Sequence, residues 1–115
     1  MNMKKYTLAL LASLVLAGCK TTEPLYYHGE YGKAVYSYFK AEDVTLEEQI
    51  SILQEIIQTA EAKSKTVAPG VHAHLGMLYF ETGNAQLGKQ HFETEMVLFP
   101  ESEHYISFLL KSAGV

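Results

Sequence analysis

Arginine and tryptophan are absent from the 115 residues, and cysteine occurs once, as Cys19. Without arginine the chain lacks the side chain best suited to bidentate contacts with phosphates and base edges, which argues against nucleic acid as a partner. A single cysteine permits no intrachain disulfide. No stretch alternates apolar and polar residues with period two for long enough to make a strand, which leaves helix as the expected element. Catalytic groupings are also missing. Ser102 and His104 stand two apart in an expected turn, which is no triad, and the thirteen acids mostly fall on expected solvent faces, so no catalytic residue is assigned. No small-molecule substrate is expected.

The N-terminus is richer. Lys4 and Lys5 precede an uncharged run from Tyr6 to Leu16, and then comes Leu16-Ala17-Gly18-Cys19. A basic start, a short apolar run and small residues before the cut describe a cleavable export signal. Eleven apolar positions are too few for a spanning helix, which needs roughly 20. The small residues directly before Cys19 resemble the processing site of bacterial lipoproteins. That resemblance implies cleavage after residue 18 and a covalent lipid on Cys19, with no other cofactor. Lys20 rather than Asp after the cysteine resembles, in enteric bacteria, the signal for sorting to the outer membrane, facing the periplasm. Removing residues 1–18 leaves 97, enough for one domain with one core. The signal takes two of nine lysines and none of the thirteen acids, so the remainder carries a formal charge of −6. Such a domain does not adhere electrostatically to anionic lipid, and the anchor at Cys19 must hold it to the membrane.

Residues 19–29, with Pro24 and Gly29, read as a lipidated tether and turn, and 30–115 as the helical domain. Tyr31, Ala34, Val35, Tyr38 and Phe39 share one helical face. After a break at Glu42-Asp43-Val44, Thr45 and Glu48 form a capping-box pattern ahead of a second stripe at Leu46, Ile50, Leu53, Ile56, Ile57 and Ala60, in a helix running to about Lys63. Pro69-Gly70 punctuates the chain. A third helix, from Val71, carries Leu75, Leu78 and Tyr79 and ends at Gly83, where glycine accepts a left-handed C-cap. Asn84 caps a fourth helix carrying Leu87, His91, Phe92, Glu95 and Met96, which stops by Phe99 because Pro100 follows. A last helix, Glu103 to about Lys111, offers Ile106, Leu109 and Leu110.

The fold class expected is therefore all-α, built of antiparallel helix pairs. A repeat of about 34 residues set from Pro69 puts Leu75 and Gly76, Tyr79, Gly83, Phe92 and Pro100 where a tetratricopeptide repeat has its Leu-Gly, first aromatic, turn glycine, second aromatic and terminal proline. The chain thus resembles a tetratricopeptide-like array, with Glu30–Lys63 as a degenerate preceding pair and the residues after Ser102 as a C-terminal capping helix. His72, Gly88 and Glu95 depart from the repeat pattern. Arrays of this kind usually need about three units, which leaves this one lean and points to completion against a partner.

Tyr26-Tyr27-His28-Gly29-Glu30-Tyr31, Pro69 to Gly76, Phe92 to Glu95 and Leu98 to Ser102 also resemble a family of uncharacterised small bacterial lipoproteins with a domain of unknown function, over nearly the whole mature length. That resemblance implies a periplasm-facing lipoprotein, often encoded beside a lipoprotein like the curli secretion channel subunit, and so a place in an envelope complex. It brings no activity.

Two residues apart on a helix, His72 and His74 point some 200° apart and do not share a metal. His91 and Glu95 face the same way at i and i+4, but zinc needs three or four ligands, so no metal ligand is assigned. Tyrosine suits interfaces because a large ring ends in a polar tip. Tyr31, Tyr38 and Phe39 belong to the expected core stripe, whereas Tyr26, Tyr27 and Tyr36 lie off it. Tyr26, Tyr27, Tyr36, His72 and Tyr79 are the expected contacts for an envelope protein or peptide, the last three on a face presented by the first helices of the pairs.

Overall fold

The computed structural model describes residues 2–7, 23–40 and 44–115. The expected lipidation at Cys19 and the expected cleavage after residue 18 lie outside the described residues. Among the described residues the chain is helical, without a strand, and no helix is long and apolar enough to cross a membrane. Five helices make the domain: α1 (Tyr31–Lys40), α2 (Leu46–Ala62), α3 (Val71–Glu81), α4 (Ala85–Leu98) and α5 (Glu103–Ser112), with a 3-10 turn at Pro100–Ser102 before the last.

Local chemistry sets most boundaries. Thr45 Oγ1 accepts the Glu48 amide at 3.2 Å while Glu48 Oε2 accepts the Thr45 amide at 2.9 Å, which completes the capping box of α2. Gly83 takes φ 84° after α3, and Asn84 Oδ1 accepts the Leu87 amide at the start of α4.

The centre of the domain is α3. Its residues are apolar on every side, so no single face is marked, and eight of its eleven residues are buried. One core cluster joins it to α1 and α2 through Ala34, Leu53, Ile56, Val71, Leu75 and Leu78. A second joins it to α4 and α5 through Ala73, Phe92 and Ile106. The α3–α4 pair is antiparallel, since contacts pair Gly76 with Gly88, His72 with His91 and Ala73 with Glu95. Its backbones nearly touch. A Cβ on Gly76 would stand 2.9 Å from the Gly88 carbonyl oxygen, and one on Gly88 would stand 2.9 Å from that of Gly76. Phe92 and Phe80 close over the two glycines, with ring centroids 5.3 Å apart.

Two features differ from the sequence expectation. Phe39 is 80% exposed, so it leaves the core stripe assigned to it, while its neighbour Tyr38 is held inward by donating a 2.7 Å hydrogen bond to Glu81. The packed chain also reaches N-terminal of Glu30. Tyr27 pairs its backbone with the α2–α3 connection, its amide donating to Thr66 O and its carbonyl accepting from Ala68, and the Tyr26 ring meets Phe99 edge-on at 5.6 Å.

A methyl group in the interior of a helix usually gains up to about 1 kcal/mol over glycine. At Gly88 the added carbon meets a backbone carbonyl that cannot swing away, and overpacking of this kind costs about 1–3 kcal/mol. Gly88→Ala is therefore expected to lower stability by about 1–2 kcal/mol in urea unfolding, whereas Gly32→Ala, where a Cβ meets open space, is expected to be neutral or stabilising.

Candidate functional site

Helices α1, α3 and α5 meet around a recess of about 210 Å³. Tyr31, Val35, Tyr38 and Phe39 wall it from α1, His74 and Met77 lie at its base on α3, and Tyr105 closes it from α5. This volume is below the roughly 300–1,000 Å³ of sites that enclose drug-sized ligands, and suits one side chain of a larger partner. The walls are aromatic: Tyr38 meets the His74 ring edge-on at 5.0 Å and Tyr31 lies 6.1 Å from it. Exposed Phe39, Tyr105 and Phe108 belong to the same two flanking helices.

His74 is the polar group of the recess. It is buried, and its Nε2 has no hydrogen-bond partner among the described residues. Such an atom normally costs about 1–3 kcal/mol unless something satisfies it. Burial holds the His74 pKa below the usual histidine value, against the opposing pull of Glu81. The Tyr38 phenol is pushed up to about 12, first by its bond to Glu81 and then by burial. Burial pushes Tyr31 to about 12 as well, with the Glu95 charge adding to it. At neutral pH Tyr31, Tyr38 and His74 present uncharged rings to the recess.

On the opposite side of α3 is an internal polar stack. His72 Nδ1 and His91 Nδ1 are 3.0 Å apart, a distance at which one donates and the other accepts. The rings stack at 5.2 Å, Tyr79 stacks on His91 at 5.5 Å, and Gln54 donates to the Tyr79 hydroxyl at 2.6 Å. Burial, with the neighbouring His91, lowers the His72 pKa to about 4, and burial lowers His91. Glu95, 2% exposed, does not reach His91. Its oxygens accept the Gly70 amide at 2.6 Å and the Ala73 amide at 3.2 Å, so a carboxylate on α4 caps α3. Burial pushes the Glu95 pKa up, and the backbone amides pull it back in part. With Glu95 so engaged, no group of three or more potential metal ligands converges among the described residues.

The five residues expected to contact a partner fall in different places. His72 and Tyr79 are 8% and 9% exposed, and their rings pack inside the domain. Tyr26 and Tyr27 are half-buried and fasten the N-terminal segment to Phe99 and the α2–α3 connection. Tyr36 is exposed, with Lys40 Nζ 5.5 Å from its ring centre. None of the five lines the recess. Among the residues that do, Tyr38 and Phe39 read as core in the sequence and His74 and Tyr105 carry no contact signal there, because their convergence joins α1, α3 and α5 and no spacing along the chain records it.

The family described as Domain of unknown function (DUF4810) matches residues 25–109. The chain belongs to this family. No curated protein and no solved structure matches it. The DUF4810 match starts beside Tyr26 and Tyr27, the residues that tie the N-terminal segment to the helices, and spans the recess and the α3–α4 pair. The sequence resemblance to an uncharacterised family is thereby established at the level of that domain.

The histidines give this DUF4810 domain a pH dependence of definite sign. His72, His74 and His91 have folded pKa values below the ordinary 6.5, so the unfolded chain takes up protons first as acid is added. Their stabilisation is complete above pH 6.5 and is lost as pH falls toward about 4, the folded value of His72. Glu95, raised, works in the opposite sense but is one group against three. Thermal unfolding between pH 7.5 and 4.5 is expected to show a falling midpoint below about pH 6.5, with a shallower fall in His72→Gln; a midpoint independent of pH would contradict it.

Proposed function

We propose that the protein is a lipoprotein of the bacterial envelope, acylated at Cys19 and held at the outer membrane facing the periplasm, that acts as a non-enzymatic protein–protein interaction module. Its helices are read as tetratricopeptide-like pairs, α1 with α2 and α3 with α4, followed by α5 as a capping helix. The lipobox-like run Leu16-Ala17-Gly18-Cys19 supports the anchor. The observation that carries the interaction reading is the aromatic recess, lined by the first helix of each pair, with the buried and unpartnered His74 Nε2 at its base. In that reading a side chain of an envelope protein or peptide enters between Tyr38 and Tyr105, Phe39 folds over it, and a polar group at its tip meets His74. No nucleic acid and no small-molecule substrate enters the scheme.

A second reading has the domain as a structural or assembly subunit of an outer-membrane secretion complex, beside a curli-channel-like lipoprotein. Exposed Val97 and Leu98 at the end of α4, with Phe108 on α5, favour it, because apolar side chains at both sites suit burial by fixed neighbours. A peptide-binding module is stable alone, whereas an obligate subunit gains thermal stability with its neighbour.

The test is Phe39→Ala combined with Tyr105→Ala in the lipidated protein, crosslinked in its own cells, with Cys19→Ser as the unanchored control. Removal of two aromatic anchors is expected to weaken capture by about 2 kcal/mol or more, roughly thirtyfold. The thermal midpoint should be nearly unchanged, since both residues are exposed. Undiminished capture by the double variant would remove the recess as the partner seat.

A further inference from the structure

A larger concavity of about 740 Å³ lies between α1 and α2. Its position is distinct from the recess: no residue of α3, α4 or α5 lines it, so it faces outward from the first helix pair. The sequence makes this gap. Along α1 the lining positions are Lys33, Ala34 and Ser37, with Glu30 one turn ahead, and along α2 they include Glu48, Ser51, Ile52 and Glu55, with Glu47 and Ile56 beside them. Both walls follow i, i+3, i+4, i+7, the spacing by which one helix face meets another. The facing residues Ala34, Ser37 and Ser51 are too small to fill the space, so the helices enclose a trough two turns long, about 10 Å. Its floor is Ala34, Ile52 and Ile56.

The rim is acidic. Glu30, Glu47, Glu48 and Glu55 face one lysine, Lys33, which lies 3.9 Å from Glu30 across an exposed contact. Glu48 is engaged with the Thr45 amide, while Glu47 and Glu55 form no ion pair among the described residues. An apolar trough two turns long, edged by carboxylates and walled by two helices, has the shape, length and charge to seat a third helix.

We infer that this trough receives a basic amphipathic helix of another protein. Apolar side chains at i and i+4 of that helix pack along half-buried Ile52 and into the gap left by Ser37 and Ser51, and lysines or arginines flanking them reach Glu47 and Glu55. The site goes beyond the recess reading and does not depend on it, because the two share no residue.

The probe is a fluorescein-labelled, 14-residue helical peptide of leucine and lysine with leucines at i and i+4, titrated by anisotropy against the full-length protein in nonionic detergent. Binding is expected to weaken as salt rises from 50 to 300 mM, and to weaken roughly threefold or more in Glu47→Gln with Glu55→Gln, since each exposed pair contributes modestly. Both carboxylates are exposed, and circular dichroism checks that the double variant keeps its helices. The Phe39→Ala, Tyr105→Ala protein should bind this peptide as the parent does, so loss of the recess and loss of the trough read out separately. Zero-length carbodiimide crosslinking should join peptide lysines to Glu47 or Glu55. Absence of binding, equal affinity for the double glutamine variant, equal binding of a leucine and glutamate peptide, or crosslinks confined to other carboxylates would each overturn the assignment.

Discussion

The Glu95 carboxylate, gripping the first amides of α3 from the neighbouring helix, is the contact on which the rest of the domain depends. Gly70 precedes α3 with φ 96° and offers no side chain to cap it, so the free amides at this buried helix start need an acceptor from elsewhere. Burying a carboxylate costs several kcal/mol, and two charge-assisted hydrogen bonds at the positive end of a helix dipole offset most of that. The upward shift of its pKa shows that burial keeps the upper hand. The same grip sets the register of α4. A slide of one turn, 5.4 Å, would take Glu95 from Gly70, Gly88 from Gly76 and His91 from His72 together.

From that fixed pair the two surfaces follow. Helix α3 supplies His74 and Met77 to the recess on one face and His72 and Tyr79 to the internal stack on another, so the base of the recess is as firmly placed as the core itself. Helix α1 is held more lightly. Ala34 is its buried residue, and the Tyr38 to Glu81 bond ties its far end to the end of α3. This helix also separates two different chemistries, neutral aromatic rings on the side toward α3 and α5 and carboxylates around small residues on the side toward α2.

What could be read in the sequence was what repeats along a single helix. The Thr45 to Glu48 box, the Gly83-Asn84 turn and the stripe of α2 are local, and the observed helix ends lie within about two residues of the expected ones, the usual uncertainty of a boundary. The close approach at Gly76 was also legible, from its place in the repeat pattern. The features that matter most for the site join distant positions. Glu95 reads as a stripe residue one turn from His91, with nothing to mark it as a cap, because its partners are amides 22 and 25 residues away. Phe39 reads as core from its spacing, although it stands 80% exposed near the end of α1. Helix α3, apolar all round, gave no face from which to predict where His72, His74 or Tyr79 would point.

The most direct test of the Glu95 clamp is native-state hydrogen exchange at the Gly70 and Ala73 amides in the parent and in Glu95→Gln. The amide side chain keeps one acceptor oxygen where the carboxylate has two, so one of these two positions is expected to lose about 1.4 kcal/mol of protection or more, a tenfold faster exchange, and the thermal midpoint should fall with it. Unchanged protection at both amides, with an unchanged midpoint, would contradict the clamp and the register that depends on it.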